Sequence, residues 1–377
     1  MPQLIRSSQP VFPETDIAPL IFEIEAVLRN GQFRNGKNVK IFESQTAQYL
    51  GIKAAAAFDS DSSAYETALR FFGAGGGEVV VCTNSFISVP NSVVFADATP
   101  VFADIRLDTL SMDPASLRKN LTAKTRGVIV THIAGFPNPD LQEIVGICRS
   151  QGLFLIEDAT HAIGALVGGK KAGTFGDAAV FSFTPTKVIT TGEGGMLVTD
   201  NPALHEFAKR YSFYGSGPGK TNFVDVGRHM VLPEVSALMG ISQLRRLDEF
   251  IERRNQIAAK YNAAFADVSG LSTVKVPEGS YCAYYKYPLI LGSNINRQQF
   301  TQALFERFGV ETGSVFYPPC HMQPAYQRRG VVAFGGLSVA EAVLAQTITL
   351  PMHAALSDAD ADFVVDAVKS LLGSGGF

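Results

Sequence analysis

Short apolar runs separated by longer amphipathic stretches recur through the first two-thirds of the chain: AAAAF (54–58), EVVVC (78–82), TPVFADI (99–105), RGVIVTHI (126–133), LFLIED (153–158), AAVFSF (178–183) and GGMLVTD (194–200). Runs this short and this continuously apolar predict strands covered on both faces, and the segments between them supply the covering helices. The expected fold class is α/β, with a large, doubly wound, mostly parallel sheet. The alternation ends at 231–265, where Leu, Ile and Ala spacing predicts one long helix linking two domains, with Gly240 as the point where it bends or breaks. Beyond it, YCAYYKYPLIL (281–291) reads as strand. Asn296 and Gly309 bracket one helix, and Ser357 caps a last one. These patterns predict a large domain over 1–250 and a smaller α+β domain over 251–377, with a frayed GSGGF end.

A length of 377 residues fits this division, since a single core rarely grows so large. With 46% hydrophobic and 18% charged residues the chain is no disordered segment. A net charge of −3 without a dense basic block argues against nucleic acid and acidic membranes, leaving small molecules as expected partners. Cys82, Cys148, Cys282 and Cys320 lie far apart, so reduced thiols and a cytoplasmic location are expected. No apolar stretch reaches membrane-spanning length, the first residues lack a secretory pattern, and the six histidines lack metal-ligand spacing, so no metal is expected.

Ligands of parallel α/β sheets bind at the carboxyl ends of strands, and polar residues follow three of the apolar runs here. Ser60, Asp61, Ser62 and Ser63 open a helix whose free N–H groups and dipole suit a phosphate; an ordinary N-cap is the plain alternative. Glu157 and Asp158 end a buried run, where a carboxylate needs a cationic or hydrogen-bonding partner. Lys187 lies beyond Ser182 and Pro185, before a Thr-Thr-Gly loop. An exposed lysine is only a solvated charge, whereas a buried one serves as nucleophile and base and forms a Schiff base with a carbonyl. A phosphate for the serines, a ring nitrogen for Asp158 and an aldehyde for Lys187 meet in one ligand, pyridoxal 5′-phosphate.

With these residues in view, the chain resembles the DegT/DnrJ/StrS family of pyridoxal-phosphate sugar aminotransferases, of the type I, aspartate-aminotransferase-like fold. The likeness covers nearly the whole chain and is most specific over 155–200, LIEDATHAIGALVGGKKAGTFGDAAVFSFTPTKVITTGEGGMLVTD. By this resemblance Lys187 is the lysine joined to the cofactor, Asp158 the partner of its ring nitrogen and Ser182 a phosphate-binding hydroxyl. His161 matches a position beside the ring and Phe86 the aromatic that stacks on it, although Phe86 read without the family would be core. Ser62 matches the threonine of a phosphate loop, and Asp61 stands where that loop has glycine, so its carboxylate must point away or bind elsewhere. GRHMV (227–231) replaces a Gly-Tyr-Asn-Tyr-Arg segment; His229 holds the position of an asparagine that reaches the neighbouring subunit's cofactor phosphate.

The resemblance implies a homodimer with shared sites and a ping-pong transfer of an amino group from an amino acid, commonly glutamate, to a keto or aldehydo sugar. A nucleotide-linked sugar is the family default, and the altered GRHMV leaves room for a free one such as an oxidised octulosonate. A sugar dehydratase of the same family would carry histidine at 187, and a non-catalytic module would not need Lys187 and Asp158. A nicotinamide oxidoreductase would need GxGxxG after an early strand, where AAAAFDSDSS has no glycine; YGSGPG (214–219) reads instead as a loop over the site.

Overall fold

The computed structural model describes residues 4–218, 221–330 and 332–374. Its strands are β1 (Ala54–Phe58), β2 (Glu78–Cys82), β3 (Thr99–Ala103), β4 (Thr125–Thr131), β5 (Phe154–Asp158), β6 (Leu166–Val167), β7 (Lys170–Lys171), β8 (Ala178–Ser182), β9 (Gly195–Thr199), β10 (Leu271–Thr273), β11 (Ser280–Tyr281), β12 (Tyr287–Leu291) and β13 (Thr347–Leu350). The main sheet has the order β1-β9-β8-β5-β4-β2-β3. β3, β2, β4, β5 and β8 run parallel, and β9 lies antiparallel between β8 and β1. The carboxyl ends of β1, β2, β4, β5 and β8 therefore share one edge.

Both faces of this sheet are covered. Val79, Val81, Ile129 and Ile156 enter the core on one side, and Val80, Val128, Val130 and Leu155 enter that on the other. Alternate residues thus point to opposite sides yet all are buried, which is why the sequence runs are unbroken. Each such side chain contributes about 1.5–3 kcal/mol on leaving water.

The long pattern at 231–265 is two helices, Glu234–Arg245 and Leu247–Phe265. The break falls at Arg246 (φ −98°, ψ −2°) and not at Gly240. Arg246 grips Asp16 of the first helix through both carboxylate oxygens, at 2.8 and 2.9 Å. Gly240 is needed for another reason: a Cβ there would lie 2.6 Å from the Phe42 ring. Residue 250 lies within the second of these helices, ahead of the antiparallel sheet β10-β12-β13.

The expected caps are in place. Asn296 Oδ1 accepts from the Gln299 N–H, Gly309 adopts φ 69°, and Ser357 Oγ accepts from the Asp360 N–H. The final helix runs to Ser374, so of the GSGGF end expected to fray, residues 375–377 lie outside the described residues. The strand expected over 281–291 is split: Tyr281 ends β11, Tyr287–Leu291 form β12, and residues 282–286 between them are irregular backbone, with Tyr284 in the left-handed region at φ 44°.

Candidate active site

The site grows from one close contact. Gly195 opens β9, paired with Phe58 on one side and Ser182 on the other. A Cβ on Gly195 would collide with the backbone of Ser60 and Asp61, so only glycine lets the start of helix Asp61–Phe71 settle there. This brings that helix start to the end of β8. Ser60 is the N-cap, its Oγ accepting from the Ser63 N–H at 3.2 Å. Asp61 folds back: Oδ1 accepts from the Ser62 N–H at 2.9 Å and Oδ2 from Ser88 Oγ at 3.3 Å. Burial pushes the Asp61 carboxyl above its usual range; Lys187 pulls it down and Asp158 pushes it up again. Ser182 Oγ is buried and, among the described residues, has no hydrogen-bond partner.

Asp158 ends β5, 1% exposed. Its Oδ1 accepts from Thr160 Oγ1 at 2.8 Å and from the Thr160 N–H at 3.3 Å, and its carbonyl accepts from the His132 N–H. The Tyr65 hydroxyl is buried beside Asp158, and burial pushes this phenol up, helped by the charges of Asp158 and Asp61. The neighbouring Glu157 is fully satisfied elsewhere. It accepts from His132 Nε2 (2.9 Å) and from the N–H groups of Gly173, Phe175 and Gly176. Burial pushes its carboxyl up, but these donors outweigh that and hold it below the usual carboxylate value. Of the adjacent acids, Glu157 is the structural one.

Lys187 is half-buried, its N–H donating to Thr184 O, and its Nζ stands 4.8 Å from the centre of the Tyr285 ring. Tyr285 stacks on His161 with centroids 4.3 Å apart and planes 27° apart. His161 Nδ1 accepts from the Ala134 N–H at 3.2 Å, which puts the ring proton on Nε2. Nε2 is buried and has no partner among the described residues. Burial holds His161 well below its usual value, with repulsion from Lys187 and Lys286 adding to it. Phe316 lies 5.5 Å from His161 and 5.4 Å from Phe86, which completes the wall. Phe86 itself is 49% exposed in the turn after β2, so the core reading of this residue does not hold; a polar turn lifts it out to the site.

Lys187 thus acts electrostatically on Asp61 and on His161, Asp158 acts on Asp61, Ser182 and the Ser60–Asp61 backbone meet at Gly195, and Phe86 reaches His161 through Phe316. His229 is not among their contacts. It is exposed, with Nε2 3.2 Å from Arg34 Nη1 and its ring against Phe213 and Tyr214. The described part of the 214–219 loop turns toward this same region: the Tyr214 N–H donates to Arg228 O and the Gly217 N–H to Asn222 O. Residues 219 and 220 lie outside the described residues.

Sequence reasoning missed Tyr285, Lys286, Phe316, Thr160 and Tyr65. The first two were hidden inside an apparent strand; Thr160, two residues after a buried carboxylate, is a recognisable side-chain turn.

The DegT/DnrJ/EryC1/StrS aminotransferase family model matches residues 16–369. The chain is 33% identical over 367 residues to the spore coat polysaccharide biosynthesis protein SpsC of Bacillus subtilis, covering 93% of this chain and 94% of that protein. It is 33% identical over 342 residues to GDP-perosamine synthase of Caulobacter vibrioides, covering 89% and 91% of the two chains. Among solved structures it is similar to the aminotransferase TlmJ of Streptoalloteichus hindustanus, with a TM-score of 0.91, 32% identity and coverage of 99% of this chain and 100% of that one. A lysine beside the Asp61 carboxylate at the carboxyl edge of a mostly parallel sheet, in a chain matched nearly end to end, leads to one conclusion: the protein belongs to the DegT/DnrJ/EryC1/StrS aminotransferase family.

Proposed function

We propose that this enzyme moves an amino group from an amino-acid donor, glutamate in the first instance, to a keto or aldehydo sugar in amino-sugar biosynthesis, with pyridoxal 5′-phosphate as cofactor and Lys187 as its covalent anchor. The observation that carries this reading is a pair of buried polar atoms without a partner among the described residues, Ser182 Oγ and His161 Nε2, the second of them within reach of the Lys187 charge. Buried polar atoms are rarely left without partners, and each unmade bond costs about 1–3 kcal/mol. A phosphorylated pyridine carrying ring oxygens offers acceptors for both. The residues present therefore fit the group.

In this reading Ser182 and the Ser62 end of helix Asp61–Phe71 hold the phosphate, which requires the Asp61 carboxylate to give up the Ser62 N–H that it now occupies. Asp158, kept in place by Thr160, carries the negative charge that keeps a ring nitrogen protonated. Bound there, pyridoxal phosphate supplies a ring that accepts the electron pair released when a neighbouring C–H bond breaks. Phe86 covers a ring face, and His161 donates its Nε2 proton without gaining charge. With the cofactor held there, Lys187 Nζ would be the base that takes a proton from the donor's Cα and gives it up again, and would serve in the same way on the acceptor.

A nucleotide-linked acceptor is favoured by the similarity to GDP-perosamine synthase. A homodimer belongs to the same reading. Phe22 (70% exposed) and Val226 (98% exposed) leave apolar surface for a second copy, and His229, apart from Lys187 in its own chain, suits the partner's site. The division into 1–250 and 251–377 is part of the proposal, supported by the main sheet lying before it and the sheet β10-β12-β13 after it. Four buried free thiols favour a reducing compartment such as the cytoplasm. Among the described residues, no helix is long and apolar enough to cross a membrane.

The test is a half-reaction. Glutamate added to cofactor-loaded enzyme is expected to bleach the visible absorbance and release one equivalent of 2-oxoglutarate per site; no release with any amino acid would contradict the reading.

A further inference from the structure

The residues around Tyr285 carry an electrostatic asymmetry that the reaction outlined above leaves unused. Lys187 acts on the Asp61 carboxylate, and so does Asp158. Lys187 acts as well on Lys286, whose Nζ donates to Ser314 O at 2.7 Å and lies 5.6 Å from the centre of the Tyr285 ring and 5.2 Å from that of Phe316. The Lys286 backbone is fixed as well, the N–H donating to Ala134 O at 3.1 Å. Behind Tyr285, the buried Arg254 guanidinium donates to the carbonyls of Tyr284, Tyr285 and Met352. Among the described residues no carboxylate pairs with Lys187, Lys286 or Arg254.

Half-buried cations grouped around one phenol repel each other and lose hydration, a cost that natural sites offset with an anion. Ser314 O takes one of the three ammonium N–H bonds of Lys286, and among the described residues the others have no hydrogen-bond acceptor. Burial acts against the ammonium form of Lys286, the neighbouring Tyr285 phenol favours it and the charge of Lys187 opposes it, with the net effect downward, so an arriving anion would favour the charged lysine.

Resting on the aminotransferase reading, we propose that Lys286 is a specificity residue that binds a carboxylate of the substrate. That carboxylate belongs either to the amino-acid donor or to an acidic sugar acceptor. Both present the same group to the same ammonium. The aromatic rings on either side align the lysine stem and exclude water, which strengthens the pairing.

The test uses cofactor-loaded enzyme and its Lys286→Met variant, which keeps an unbranched stem between the rings and removes the charge. Calorimetric titration with glutarate represents the donor, and titration with glucuronate, set against glucose, represents an acidic acceptor; neither probe requires turnover. A tenfold or greater weakening in the glutarate arm assigns the carboxylate to the donor, and the same in the glucuronate arm alone assigns it to the acceptor. Lys286→Arg is expected to restore most of the affinity, which a loss of packing would not explain. Equal affinities of wild type and Lys286→Met in both arms would overturn the proposal. Borohydride labelling of Lys187 is expected to be the same in both proteins. Because it reads the aminotransferase assignment alone, failure of that assignment is told apart from failure of the Lys286 proposal.

Discussion

The backbone N–H of Ala134 donates to Nδ1 of His161, so a residue on the β4 side fixes which nitrogen of a β5-side ring carries the proton. A ring held in this tautomer, and pressed to neutrality by burial and by Lys187 and Lys286, resists protonation when folded. The unfolded chain takes that proton below about pH 6.5, so folding stability falls as the pH drops from there, by up to about 1.4 kcal/mol per pH unit. His161→Gln cannot titrate. Its urea midpoint is expected to fall less steeply than that of wild type between about pH 6.5 and pH 5. His353, lowered to about 4, contributes to both proteins alike and cancels in the comparison. Parallel pH profiles would contradict the assignment.

Asp61 supplies a second prediction. Its carboxylate occupies the Ser62 N–H that a phosphate would use. Asp61→Asn keeps the hydrogen-bonding shape and removes the charge, so cofactor affinity, measured by equilibrium dialysis, is expected to rise about three- to tenfold, with the larger gain at low salt. Weaker binding in the variant would show instead that the carboxylate helps to hold the cofactor.

Gly195→Ala drives a methyl group into the Ser60–Asp61 peptide. Relief requires the helix start to move, at a cost of about 1–3 kcal/mol in stability. The protein is expected to remain folded by circular dichroism while its cofactor affinity drops at least tenfold; unchanged affinity would mean that the phosphate is held elsewhere.

Away from the site, Glu234 closes the start of helix Lys37–Leu50, whose N-cap Gly36 has no side chain for the task. Its carboxylate accepts from the N–H groups of Gly36 (2.7 Å), Asn38 (2.9 Å) and Val39 (3.3 Å) while only 2% exposed. Glu234→Ala strands these donors and is expected to cost about 3 kcal/mol in urea unfolding. A loss below about 1 kcal/mol would show that water replaces the carboxylate there.

Much of this architecture was legible because burial on both sheet faces writes itself as unbroken apolar runs, and because polar residues after such runs stand out. Lys187 and Asp158 were singled out that way, whereas Ser182 entered only through the family resemblance. Tyr285 and Lys286 were not singled out, because YCAYYKYPLIL has the composition of a strand. What removes residues 282–286 from the ladder is a left-handed turn at Tyr284 and the grip of Arg254, 30 residues away, on the Tyr284 carbonyl. The helix break at Arg246 was equally hidden, since no glycine or proline marks it and its cause is Asp16, 230 residues earlier in the chain. Contacts that distant in sequence leave no local pattern to read.

The covalent role of Lys187 is the claim on which the rest depends, and reduction of cofactor-loaded protein with tritiated borohydride followed by peptide mapping tests it most directly. A pyridoxyl label confined to Lys187, and lost in Lys187→Ala, is the expected result; label on any other lysine, Lys286 included, or no label at all, would contradict it.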